Sequence, residues 1–82
     1  MNKPAPYTKS QRLNLVRAYL AELDRICQEQ YDGDWEMMPT VQNGLPINWD
    51  KCIAKANIRT SPAGASGLIR HALNDDALMD RV

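Results

Sequence analysis

Between Leu13 and Tyr31 the apolar residues recur with a helical period, and this repeat constrains the chain more than anything else in it. Leu13, Leu15, Val16, Tyr19, Leu20, Leu23, Ile26, Cys27 and Tyr31 fill one arc of a helical wheel. Asn14, Arg17, Glu22, Asp24, Arg25, Gln28 and Glu29 are assigned to the other side. Thr8 and Gln11 have capping-box spacing, in which the hydroxyl serves the helix and the amide reaches back. Gly33 suits the far end because it tolerates left-handed backbone. One long helix over about 8–31 is therefore expected.

Glycine and proline then break the chain into short pieces. Gly33, Pro39, Gly44 and Pro46 forbid a second long helix at this point. Asn43-Gly44 is a turn signal that allows a short β-hairpin over about 40–47, set against an irregular loop. The apolar residues Trp35, Met37, Met38, Val41, Leu45 and Ile47 are expected to fold back over the helices. Asn48 is a good cap for a helix over about 48–57, with Trp49, Cys52, Ile53 and Ala56 as its apolar stripe. Ser61 and Pro62 open another over about 61–74, with Ala65, Leu68, Ile69, Ala72 and Leu73 turned inward. Asp76 would fall in the middle of that face, so a break near Asn74 or Asp75 is expected before a short C-terminal turn. The fold class is therefore all-α, a small single-domain bundle of three to four helices over 8–82, with a flexible N-terminal arm over 1–7.

Size sets limits on function. A chain of 82 residues buries only about 60% of the surface that its unfolded form exposes. It has little room for a core and a deep substrate cleft together. The one histidine, His71, is expected on the outer side of its helix, and Cys27 and Cys52 sit at apolar positions. Those three offer too few ligands at the wrong spacing for zinc. No enzymatic activity, metal or cofactor is expected. Two apolar-sited cysteines read as reduced thiols, which points to the cytoplasm. No run approaches the ~20 apolar residues of a membrane span.

Acids and bases balance at ten each, but they are segmented. Residues 32–50 hold four acids and no base; residues 51–71 hold four bases and no acid. The first segment opens with "DGDWE", whose alternating carboxylates resemble the start of a calcium-binding EF-hand loop. Met37 and Asn43 stand where that loop needs glycine and glutamate, so the match fails. What remains is a charged surface loop. In its more specific reading it is a protein-binding patch of Asp32, Asp34, Trp35, Glu36, Met37 and Met38, mixing carboxylates with large adaptable apolar groups.

The basic segment supports the alternative. "TSPAGASGLIRHALND" starts a helix with small residues, and a helix N-terminus can receive an anion. It lacks the lysine of a P-loop, and the chain lacks the sheet that a KH-type GXXG loop requires. The favoured reading of its small residues is tight packing on the long helix. Ile53 to Asp75 is loosely similar to the bacterial repressor helix-turn-helix, with a longer connection. That resemblance implies a DNA-binding regulator, acting as a homodimer through Lys51, Lys55, Arg59, Ser61, Ser66, Arg70 and His71. The leading expectation is a non-catalytic protein–protein interaction module, a small stoichiometric inhibitor or regulator of a larger complex, one that handles nucleic acid included.

Overall fold

Thr8 opens the longest helix as its spacing requires. In the computed structural model, which describes residues 7–38 and 45–82, the Gln11 N–H donates to Thr8 Oγ1 at 3.0 Å, and the Thr8 N–H donates to Gln11 Oε1 at 2.9 Å. Helix α1 runs Lys9–Gln30. It ends because the chain turns left-handed twice, at Asp32 (φ 52°) and Gly33 (φ 79°). The Tyr31 and Gly33 N–H groups both return to the Cys27 carbonyl, at 3.0 and 2.9 Å.

Helix α2, Trp49–Ala56, is capped by Asn48, whose Oδ1 accepts from the Lys51 N–H at 3.1 Å. It stops at Asn57, which takes up the left-handed conformation (φ 56°) that asparagine tolerates better than most residues. Helix α3, Pro62–Leu73, has Ser61 as its cap and Pro62 at its first position. The break falls where an acid would otherwise enter the core. Asn74 ends α3, and Asp75 caps α4, Asp76–Met79, accepting the Leu78 N–H at 3.2 Å. The protein is thus an all-α bundle of four helices with the long one first, and no strand occurs among the described residues. The β-hairpin expected over about 40–47 lies largely outside the described residues.

Leu15, Val16 and Tyr19 of α1 pack against Cys52 and Ala56 of α2, Ile58 of the connection, Ile69 and Ala72 of α3, and Leu78 of α4. The rings of Tyr19 and Trp49 stack with centroids 5.7 Å apart, a contact worth ~1 kcal/mol beyond its buried area. A second, smaller cluster gathers Ile26 and Cys27 with Met38, and Tyr31, Leu45 and Ile47 pack on it. Of the arm expected over 1–7, residues 1–6 lie outside the described residues. Tyr7 packs against the main core and donates its hydroxyl to the Arg59 carbonyl.

Three expectations are corrected. Glu22, assigned to the solvated side of α1, is 3% exposed. It stands three residues from Tyr19 and four from Ile26, inside the buried stripe. Leu73, assigned to the core, is exposed, because α3 ends there and the chain turns away into α4. The glycines of α3 do not provide close packing on α1. A side chain at Gly64 would meet Thr60 in the preceding loop, and one at Gly67 would meet open space. The small residues that α3 does bury are Ala65 and Ala72.

Candidate functional site

The left-handed pair that ends α1 also shapes the loop after it. Asp32 and Gly33 reverse the chain, and the Asp34 N–H then donates to the Tyr31 carbonyl at 2.8 Å. Asp34 in turn organises the rest of the loop. Its Oδ1 accepts from the Glu36 N–H at 3.0 Å, and its carbonyl accepts from the Met37 N–H at 3.1 Å. Met38 then enters the core beside Ile26 and Cys27. The loop is held at one end by the Cys27 carbonyl and at the other by the buried Met38 side chain.

That anchoring decides which of the six candidate residues face outward. Asp32, Asp34, Glu36, Trp35 and Met37 are exposed, the last two by 50% and 69%. Met38 is buried and leaves the candidate surface; it is the apolar weight that pins the loop. Trp35 and Met37 do not fold back over the helices as the sequence suggests, because Met38, Leu45 and Ile47 already cover the second cluster. Among the described residues no lysine or arginine forms an ion pair with Asp32, Asp34 or Glu36.

The basic candidates are spread over several environments. Lys51 leans towards α1, its Nζ 3.9 Å from Glu22 Oε2. Lys55 borders an open cleft between α1 and α2. Arg59, Arg70 and His71 are exposed, and Ser66 is half-buried. The start of α3 is largely satisfied from within. Pro62 has no N–H, Gly64 donates to Ser61 Oγ at 3.1 Å, and Ala65 donates to the Ser61 carbonyl at 2.9 Å. The Ser61 oxygen is therefore engaged as the cap.

No group of three or more potential metal ligands occurs among the described residues. Cys27 and Cys52 lie in different apolar clusters, and His71 is on the surface. Burial pushes both thiols upward, helped at Cys27 by Asp24 and Asp34 and at Cys52 by Glu22. Burial thus favours the protonated sulfhydryl at both. No described helix is long and apolar enough to cross a membrane.

Two features escaped the sequence reading. The first is the polar junction at Glu22. Its Oε1 accepts from the Asn48 N–H at 2.9 Å and from Arg25 Nη2 at 3.1 Å, and its Oε2 accepts from Arg25 Nε at 3.0 Å. Glu22's place at helical spacing within the apolar stripe was the available signal. The second is the cleft bordered by Asn14, Arg17, Ala18, Ala21 and Lys55, which joins residues from two helices and leaves no local signature. No family model matches the chain, and neither the curated proteins nor the solved structures include a significant match.

Proposed function

We propose that this protein is a non-catalytic protein-binding module that acts through the loop following α1. The supporting observation is the pairing of exposed Trp35 and Met37 with three carboxylates unpaired among the described residues, on a backbone tied at both ends. Large apolar side chains left in water are the usual anchors of an interface, and a fixed loop loses little entropy when it docks. The partner would present an apolar pocket with a basic rim. A regulator or inhibitor of a larger complex would work by occlusion. Where that complex handles nucleic acid, Asp32, Asp34 and Glu36 would occupy a phosphate track.

The test compares proteins captured by the parent chain and by Trp35→Ala, with folding checked by circular dichroism. A central aromatic anchor is worth ~2 kcal/mol or more, roughly 30-fold in affinity. The direct partner should vanish from the Trp35→Ala capture and persist with Arg70→Gln. Capture that is indifferent to Trp35 and Met37 would sink the proposal. Duplex DNA retention that weakens steeply with salt and depends on Lys51, Lys55, Arg59 and Arg70 would favour the DNA-binding regulator instead.

A further inference from the structure

The open cleft between α1 and α2 has a chemistry that the proposed protein contact does not use. Asn14, Arg17, Ala18 and Ala21 recur at helical spacing along one face of α1, and Lys55 closes the cleft from the last turn of α2. Its volume is about 410 Å³, within the range of small-ligand sites. The two alanines carry no side chain beyond Cβ, so they make a shallow apolar floor. Everything polar around that floor can donate: a guanidinium, an ammonium and a carboxamide. No carboxylate lines it.

Both cations are available. The three ion pairs among the described residues all end on Glu22 or Glu29, so neither Arg17 nor Lys55 has an acidic partner there. One nitrogen of the Arg17 guanidinium, Nη2, is engaged by the Arg81 carbonyl at 3.0 Å. Asn14 stands one turn before Arg17, three residues away on the same face.

We infer that this cleft binds a phosphate group, as a phosphate monoester or as the diester of a nucleic-acid backbone. A planar carboxylate is satisfied by a single arginine fork. A tetrahedral phosphate has oxygens to spare for a guanidinium, an ammonium and an amide arriving from two helices. The organic part of the ligand would lie over Ala18 and Ala21. The site is separate from the loop after α1, so Trp35→Ala leaves it unchanged.

The test is an amide-shift titration of the full chain at constant ionic strength, with chloride replaced in turn by inorganic phosphate, a nucleoside monophosphate and a short deoxythymidine oligomer. Saturable shifts are expected at Asn14, Arg17, Ala18, Ala21 and Lys55. Lys55→Gln should weaken binding about tenfold, the loss of one charge-assisted hydrogen bond. Ala21→Glu, which places a carboxylate on the floor one helical turn from Arg17, should abolish it. Arg70→Gln should leave it unchanged. Tighter binding of the oligomer identifies a polymer backbone as the source; equal affinity for the monophosphate identifies a free ester. Absence of saturable shifts with all three probes overturns the inference, as do shifts that follow Lys51, Arg59 and Arg70 instead of the cleft.

Discussion

Replacing Glu22 by alanine should destabilise this protein more than any other change to a charged residue. The carboxylate is 3% exposed and accepts the Asn48 N–H at 2.9 Å, so one buried group on α1 holds the residue that caps α2. A hydrogen bond to a charged acceptor contributes about 1.5–3 kcal/mol. A negative charge near a helix N-terminus adds ~0.5–1 kcal/mol. Glu22→Ala should therefore cost about 2–4 kcal/mol. In a domain of this size each kcal/mol moves Tm by roughly 4–8 °C. Glu22→Gln keeps an oxygen for the Asn48 N–H but loses the charge and turns an amide NH2 towards the Arg25 Nε–H, so it should cost about 1.5–3 kcal/mol.

Acid gives an independent reading of the same junction. Arg25 holds the Glu22 carboxyl below its usual value of 4.5, with the Asn48 N–H and Lys51 assisting and burial opposing. A folded value below the unfolded one means that this stabilisation is complete above pH 4.5 and is lost as the pH falls through the folded value. Glu22→Gln should flatten that part of the parent's acid profile. Thermal unfolding followed by circular dichroism between neutral and acid pH measures both effects. If Glu22→Ala melts within about 4 °C of the parent and the acid profile is the same in both, Glu22 does not join α1 to α2.

The two glycines of α3 should respond in opposite directions. Gly67→Ala meets nothing within 4 Å and should raise stability by ~0.5–1 kcal/mol through helix propensity. Gly64→Ala sets its Cβ against Thr60 Oγ1 on a stiff β-branched side chain and should cost about 1–3 kcal/mol. Urea unfolding of both variants measures the contrast, and equal shifts of one sign would refute it. Cys27 and Cys52, both buried with raised thiols, should resist an aromatic disulfide reagent in the native state and react together once denaturant unfolds the chain. Rapid native labelling of either would show that its cluster opens.

The helices were legible because their determinants are local. Thr8 with Gln11, Asn48, and Ser61 with Pro62 each mark a start through bonds to the next few residues, and those bonds are present. Asp76 announced the break before α4 because an acid on an apolar face is costly unless it is paired, as Glu22 is by Arg25. Half of the Trp35 and Met37 story was legible too. The sequence showed apolar groups beside carboxylates, but not which of Trp35, Met37 and Met38 would go inside. That choice is made by the packing of Met38 with Ile26, Cys27, Leu45 and Ile47, residues far apart in the sequence.

Local chemistry along the chain thus determined the helix count, their caps and the segmentation of charge, because each is set by side chains within one or two turns of one another. Packing between helices decided the rest. It buried Glu22 on the seam of α1 and α2, drew Lys51 towards it, exposed Leu73, and brought Lys55 beside Arg17 across a floor of alanines. Such outcomes depend on the relative rotation and crossing of helices far apart in sequence, which periodicity within one helix cannot specify.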